Sequence, residues 1–309
     1  MKLRRLTLTF YSPLISYPIL ADTLFGHLCW AIFDLEGETA LEEFLDRYDE
    51  QEPPVLLSDA FPHGYVPRPY LKPLSFRQAY QWIQEREGDP WTGMAQLKTL
   101  HTVRFLERAT WQLLSVGCDE QHVLQKLFES IPFSPALPTE RTQVTVNRMT
   151  QQPLECFHSL EYPIQSLDIY VHVHHFSLDH LYTLLSYVGR IGYGQDHSLG
   201  KGVFQVNPPE EWETDELPVQ GNRVMSLSTS IPCQSLLPYY YRLLPKYGRL
   251  GRTSHPSLKR PFLMHQAGST YLQQGEAKLY YGSLLKEVHP TLSKVRQYAY
   301  SLVWPFQEY

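Results

Sequence analysis

The residues best suited to chemistry in this sequence lie in one glycine-rich segment, residues 189–202, called the glycine loop below. Five of its fourteen residues are glycines, which adopt positive φ and let a backbone approach a ligand closely. Backbone amides in such a segment can bind phosphate oxygens, and Arg190, Ser198 and Lys201 add further donors. The loop is predicted to follow a helix and precede a strand, whereas P-loop and Rossmann loops follow a strand and open a helix. The pattern therefore predicts a phosphate-binding turn of another kind, or a plain flexible turn.

Thirteen histidines point to two further chemistries. His27 lies in a predicted helix and His197 within the glycine loop, so either could contact a scissile phosphate as a general acid or base. His172 and His174 share one face of a predicted strand, which would suit two zinc ligands. No third ligand follows at motif spacing, and a lone histidine near RNA is more often a binding residue. We therefore expect no catalytic residue, no metal and no cofactor.

Composition restricts the class of protein. The chain has 309 residues, 43% of them hydrophobic and 19% charged, which predicts a globular protein of two domains. Four widely spaced cysteines form no Cys-x-x-Cys pair, so we expect a reduced, cytoplasmic protein. No run approaches the roughly 18 apolar residues of a membrane span.

Charge is unevenly distributed along the chain. The net charge of −5 argues against a general nucleic-acid binder. Residues 34–52 nevertheless hold nine acids and one arginine, whereas residues 240–309 hold ten basic residues and three acids. Two interpretations stay open: a basic face opposite an acidic one, or two solvated surfaces.

Apolar patterns predict an α+β chain. Leu6, Leu8 and Phe10 alternate with polar residues, as in a half-buried strand. A helix follows that Asp22 is predicted to cap. Residues 75–130 predict a helical insertion.

The second half of this unit repeats strand and helix. Residues 142–148 and 156–162 predict a hairpin, and residues 167–173 predict a strand. Ser177 is predicted to cap the helix that leads into the glycine loop. This order is that of a ferredoxin-like unit with an elaborated middle.

The chain is predicted to divide into two parts. Residues 1–207 form a ferredoxin-like domain, residues 208–219 an acidic, proline-containing linker, and residues 220–309 a smaller ferredoxin-like domain.

Several segments resemble a known family. The stretch from Gly192 to Phe204 resembles the glycine-rich loop of the RAMP superfamily of CRISPR proteins. Three other segments resemble the fourth subunit of type III-A (Csm) interference complexes: residues 22–30, residues 58–69 and Gly268-Ser269. The resemblance runs the length of the chain and implies two ferredoxin-like (RRM-like) RAMP domains.

The resemblance also implies a function. That subunit binds the 5′ handle of the guide RNA between the large polymerase-like subunit and the backbone RAMP subunits, and no catalysis is attributed to it. The resemblance places the handle on the glycine loop, near the first helix, with Arg148 on a thumb-like hairpin. We expect RNA to contact the residues that the resemblance implies and also the side-chain donors and the histidine of the glycine loop. These residues are Asp22, Thr23, His27, Arg148, Arg190, Gly192, Gly194, His197, Ser198, Gly200, Lys201 and Gly202.

Two alternatives to this function remain. The first lies within the family, where the chain would be the equivalent subunit of a type III-B (Cmr) complex. From a different class, a metal-independent endoribonuclease that processes guide precursors would use His27 or His197 as its acid–base residue.

Overall fold

The computed structural model describes residues 2–86, 89–130, 133, 137–218, 221–233, 236–251, 258–273 and 278–309. Within these residues the chain forms seven α-helices and nineteen strands. The predicted α+β class is confirmed.

The first 70 residues build half of a sheet and the helix that covers it. In order they form β1 (Lys2–Phe10), α1 (Ala21–Glu36), α2 (Glu38–Asp49), β2 (Val55–Leu57), β3 (Phe61–Pro62) and β4 (Tyr65–Pro67). Leu6, Leu8 and Phe10 are buried, as their alternation predicts. The predicted cap of α1 is wrong, because the helix begins one residue before Asp22 and its first amide bonds instead to the distant carboxylate of Asp59.

The predicted insertion is helical, with one short strand. It contains α3 (Phe76–Arg86), α4 (Pro90–Thr102), β5 (Phe105–Glu107), α5 (Arg108–Leu114) and α6 (Glu120–Glu129). Strand β5 pairs with β4. Arg108 of α5 donates to the buried Asp215 at 2.6 Å, which fixes the insertion to the edge of the first sheet.

A hairpin and the second half of the first unit follow. The strands and helix are β6 (Thr139–Val146), β7 (Pro153–Glu161), β8 (Ser166–Val173), α7 (Leu178–Ile191), β9 (Phe204–Val206) and β10 (Glu213–Glu216). Strands β6 and β7 pair as predicted, and almost all of their residues are exposed. Ser177 caps α7 as predicted, because its side chain accepts the amide of His180.

The first sheet has the strand order of a ferredoxin-like unit. Strand β1 lies between β8 and β9, β2 pairs with the far edge of β8, and all of these pairs are antiparallel. Helix α1 connects β1 to β2, and α7 connects β8 to β9. These are the connections of a split β-α-β unit.

The second unit repeats this strand order. Its strands are β11 (Arg223–Ser226), β12 (Leu236–Tyr240), β13 (Leu243–Lys246), β14 (Phe262–His265), β15 (Thr270–Gln273), β16 (Tyr280–Tyr281), β17 (Leu284–Leu285), β18 (Gln297–Tyr298) and β19 (Ser301–Phe306). The five-stranded sheet runs β12-β15-β11-β19-β16, so its first four strands have the same antiparallel ferredoxin order. The described residues after Glu216 form no α-helix. The connection from β11 to β12 is shorter than an average helix of about 11 residues, and the described part of the longer connection from β15 to β19 forms the short strands β16, β17 and β18.

Part of the predicted linker belongs to a sheet. Residues 213–216 form β10, which pairs with β1 through the register Lys2↔Glu216 to Arg5↔Glu213. Residues 219 and 220, where the second domain is predicted to begin, lie outside the described residues. The domain boundaries stay a prediction.

The two units meet through buried hydrogen bonds at the end of β2. The carboxylate of Asp59 accepts from the amide of Ala21 at 2.8 Å and from the amide and hydroxyl of Thr229 at 3.0 and 2.6 Å. Next to it, the amide of Leu57 donates to the hydroxyl of Tyr298 at 2.9 Å. The start of α1 and the first turn of the second unit are therefore held by one side chain.

Among the described helices, none is both long and apolar enough to cross a membrane.

We expect Asp59→Asn to remove a pH dependence of stability. Burial raises the pKa of the Asp59 carboxyl from its ordinary 3.8 to about 6. The associated stability is therefore present below about pH 4 and is lost as the pH rises through about 6. The difference in unfolding free energy between Asp59→Asn and wild type should rise by on the order of 2 kcal/mol between these limits, measured by denaturant titration.

Asp59→Ala is the control for the hydrogen bonds themselves. It leaves three buried donors unpaired and should destabilise the protein at every pH. Identical pH profiles for wild type and Asp59→Asn would contradict the assignment.

Candidate nucleic-acid interface

The glycine loop is a compact turn between α7 and β9. Helix α7 ends at Gly192, a short 3-10 helix follows at His197–Leu199, and Gly192, Gly194, Gly200 and Gly202 all have positive φ. The amide of Tyr193 donates to the carbonyl of Gly202 at 2.9 Å, which closes the loop at its base.

The glycines of the loop differ in what surrounds them. A Cβ at Gly192 would lie 2.3 Å from the carbonyl oxygen of Lys201, and one at Gly202 would lie 2.2 Å from that of Tyr193. Both positions are buried, so these two glycines shape the loop. Gly200 is exposed and a Cβ there meets open space. Arg190, Ser198 and Gly200 are thus the predicted residues of the loop that are exposed to solvent.

Several amides of the loop are already paired within the protein. Those of Gly194, Gln195 and Gly202 donate to His27 Nε2 at 3.2 Å, to Ser16 Oγ at 3.2 Å and to the carbonyl of Pro13 at 3.0 Å. The sequence pattern predicted a row of amides open to phosphate. In the structure these three amides instead hold the loop against α1 and the segment before it.

His27 and His197 lie together around Gly194. His27 Nε2 accepts the Gly194 amide, so its neutral ring carries the proton on Nδ1. His197 Nδ1 lies 2.9 Å from the carbonyl of Gly194, and the two rings are 6.4 Å apart. The ring of Tyr193 packs 4.9 Å from that of His27. The structure therefore joins the first helix and the loop into one surface.

Lys201 binds a carboxylate. Its Nζ lies 2.6 Å from Glu161 Oε1, and its side chain is only 12% exposed. Arg141 approaches the same oxygen at 3.1 Å. Lys201 thus ties the loop to the base of the β6–β7 hairpin, so its predicted phosphate contact would require this ion pair to open.

Asp22 and Thr23 bind a lysine of the second unit. Lys246 Nζ donates to Asp22 Oδ1 at 2.6 Å and to Thr23 Oγ1 at 2.9 Å. Gln297 donates to the other Asp22 oxygen at 2.8 Å and accepts from Lys259 at 3.0 Å. The Asp22 side chain is 4% exposed, so it positions these groups from the interior.

The two remaining predicted arginines are exposed and separate. Arg190 lies near the end of α7, with its guanidinium 5.9 Å from the ring of Tyr187. Arg148 lies in the turn of the β6–β7 hairpin, beside the almost fully exposed Met149. The structure does not bring Arg148 to the glycine loop.

Only His172 of the predicted histidine pair lies in β8, because the strand ends at Val173 and His174 follows it, with its ring 4.1 Å from that of His175. His172 lies 6.2 Å from the ring of Tyr280, and burial lowers the pKa of its imidazole. Within the part of the chain that the structure describes, no three His, Cys, Asp or Glu side chains are grouped as metal ligands.

The acidic and basic segments of the sequence face each other. Lys294 lies 2.6 Å from Glu42 of α2, Lys286 lies 2.7 Å from Asp49, and Arg296 lies 3.5 Å from Asp49. The sequence left open a basic face opposite an acidic one, or two solvated surfaces. Neither interpretation places the two segments in contact. Part of the basic segment is neutralised within the molecule.

Sequence reasoning missed Glu161, Lys246 and Tyr193. The first two are ion-pair partners 40 and 224 residues from the side chains they bind, and no local pattern signals such a pair. Tyr193 lies between two recognised glycines and is fully buried.

We expect Gly202→Ala to destabilise the protein far more than Gly200→Ala. Both residues have positive φ, which costs on the order of 1–2 kcal/mol for a residue with a Cβ. Only at Gly202 does the new Cβ also collide with a backbone oxygen. Thermal unfolding of the two variants measures the difference. Equal losses would show that the loop rearranges freely.

Comparison with known proteins gives structural relatives only. No protein-family model and no curated protein matches this chain. The Csm4 chain in the crystal structure of a Csm1–Csm4 cassette with cA4 is 18% identical, with a TM-score of 0.61 over 100% of this chain and 99% of that one. The corresponding cassette with AMPPNP gives 17% identity and a TM-score of 0.60 over the same shares.

A third structure comes from a different assembly. In the Csm3–Csm4 subcomplex of the type III-A CRISPR–Cas interference complex, the matching chain is 14% identical, with a TM-score of 0.55 over 99% of each chain. The likeness extends through both sheets. This chain therefore has the two-unit RAMP fold of the Csm4 subunits of type III-A CRISPR–Cas complexes.

Proposed function

We propose that this chain is a non-catalytic RNA-binding subunit of a type III CRISPR effector complex, which holds the 5′ handle of the guide RNA. The observation that carries the proposal is the match to Csm4 chains over essentially the full length of both proteins. A shared fold alone does not specify function, so the proposal also rests on the local surface.

The surface around the glycine loop suits an unpaired RNA strand. Ser198 and Gly200 are exposed, and the rings of His27, Trp30, Tyr187 and His197 line an adjoining groove between α1 and α7. Unpaired RNA is held through phosphates, 2′-hydroxyls and bases that stack on aromatic rings. Arg190 lies near the end of α7, which forms one side of this groove.

The partners follow from the structural relatives. Those Csm4 chains were solved with Csm1 and with Csm3. We propose that this chain likewise bridges a large polymerase-like subunit and backbone RAMP subunits. The exposed β6–β7 hairpin carries Val144, Leu154 and Phe157 at its surface, which suits contact with a neighbour or with the guide.

The histidine geometry assigns different roles to the two rings. The ring nitrogen of His27 that faces the loop accepts the Gly194 amide, so His27 supports the loop. His197 donates its Nδ1 proton to the carbonyl of the same glycine, which leaves the lone pair of its Nε2 for RNA. That nitrogen would be an acceptor in the binding subunit and the base in the endoribonuclease alternative.

The endoribonuclease alternative is tested directly. The purified chain is incubated with a labelled repeat RNA without metal, beside the variants His27→Ala and His197→Ala. We expect wild type to leave the RNA intact. Cleavage that either substitution abolishes would support the processing enzyme in place of the binding subunit.

Gly200 provides the test of the loop as an RNA contact. Gly200→Val should release guide RNA from the purified complex, because a branched side chain would occupy the open space that the strand needs. Gly200→Asn is the control for backbone strain, since asparagine adopts positive φ more readily. We measure guide per complex for both variants.

The two variants separate the explanations. Loss in both variants indicates a steric block of a contacted surface, and loss in Gly200→Val alone indicates strain. A full complement of guide with an unchanged 5′ end in both would show that the loop is only a turn.

A further inference from the structure

A second concave surface lies between the helical insertion and the second unit. This cleft has a volume of ≈ 280 Å³, and its lining includes Arg68, Tyr70, His101, Glu120, Tyr241 and Arg242. Four segments form it: the stretch after β4, the end of α4, the start of α6, and residues 240–242 at the end of β12. None of these residues belongs to the site described above.

Two arginines, Arg242 in the cleft and Arg104 in the smaller cavity beside it, carry positive charge that no ion pair in the described residues neutralises. Arg104 and Arg242 are both exposed, and within the described residues neither forms an ion pair. The guanidinium of Arg242 lies over the ring of Tyr70, 5.1 Å from its centroid. By contrast, Lys201, Lys246 and Lys294 all bind carboxylates.

The single carboxylate that lines the cleft is already paired. Glu120 binds the buried Arg68, and burial raises the pKa of its carboxyl to about 7. His101 lies 3.4 Å from the same carboxylate, and burial lowers the pKa of its imidazole. The uncompensated charge of the cleft is therefore positive.

An aromatic ring beside these arginines is set for stacking. The rings of Tyr241 and His265 are parallel, at an angle of 4° and a centroid distance of 4.1 Å. His265 is buried and covers one face of Tyr241, yet Tyr241 remains 46% exposed. A fixed, half-covered ring is a platform on which a base can stack.

One short chain segment connects the glycine loop with the cavity beside the cleft. A smaller cavity of ≈ 150 Å³ shares Tyr70 with the cleft and is also lined by Pro18, Leu20 and Arg104. Two residues before Pro18, Ser16 accepts the amide of Gln195 in the loop. The segment 16–20 thus runs from the loop to the cavity that contains Arg104, and Tyr70 connects this cavity with the cleft.

We propose that this cleft binds unpaired nucleotides of the RNA, with phosphates on Arg104 and Arg242 and a base on the open face of Tyr241. The inference rests on the proposed function, since the strand that contacts the glycine loop would continue along residues 16–20. An acidic peptide would use the two arginines but would leave the stacking face of Tyr241 without a ligand.

The test measures how fast guide RNA leaves the purified complex at increasing salt. The double variant Arg104→Ala/Arg242→Ala should release guide at least about tenfold faster, with the salt slope lower by about 1.4, or 0.7 for each lost phosphate contact. Tyr241→Ala should accelerate guide release about tenfold, and Tyr241→Trp should restore the slow release of the wild type.

Matched controls remove the same charge elsewhere. Arg77→Ala/Lys98→Ala deletes two exposed cations of the insertion that do not line the cleft, and it should leave release unchanged. Ultraviolet crosslinking of the wild-type complex should join guide RNA to the peptide that contains Tyr241. Excess AMP should not prevent this crosslink if the bound nucleotide belongs to the guide.

Each outcome decides one point. If the arginine variant behaves like its control and Tyr241 is not crosslinked, the cleft assignment is wrong and the proposed function stands. Loss of the crosslink in AMP, with unchanged guide release, would make the cleft a mononucleotide site and overturn the inference. A wild-type complex that contains no guide would contradict the proposed function itself.

Discussion

The carboxylate of Asp59 bonds to both units of the chain at once, and the position of the candidate interface depends on it. The carboxylate accepts the first amide of α1 and both donors of Thr229, and the backbone amide of Asp59 donates to the carbonyl of Leu227. Burial of a carboxylate is costly unless its hydrogen bonds are made. The three bonds therefore define one arrangement of the start of α1 relative to the second unit.

This arrangement also determines the position of the glycine loop. His27 of α1 accepts the Gly194 amide, and Asp22 and Thr23 at the start of the helix bind Lys246. The loop, the first helix and the second unit are thus connected through side chains that are largely buried. Rigid elements that support an exposed surface are a common way to prearrange a binding site.

Local patterns in the sequence predicted local structure well. The alternation of β1, the Ser177 cap of α7 and the β6–β7 hairpin each depend on residues close together in the chain, and the structure contains all three. The glycines of the loop were also recognised, since positive φ favours glycine. Which of them are buried depends on contacts with Tyr193 and Lys201, and no pattern of residue types encodes those contacts.

Long-range pairs could not be predicted in the same way. Asp59 binds residues 38 and 170 positions away, and Lys201 binds a carboxylate 40 positions away. That the described part of the second unit contains no α-helix could not be predicted for a related reason. Strand order is set by pairing between distant segments, and that order survives when the connections are loops.

The ion pairs between α2 and the end of the chain bear on how RNA would be selected. Lys286, Lys294 and Arg296 bind carboxylates of α2, so this part of the basic segment is compensated locally in a chain whose net charge is −5. Such a surface attracts arbitrary polyanions weakly, so encounters with unrelated transcripts would be short-lived. Affinity would then come from avidity, because a strand already bound by neighbouring subunits is presented at a high effective concentration. Self-neutralisation would thus make retention conditional on assembly.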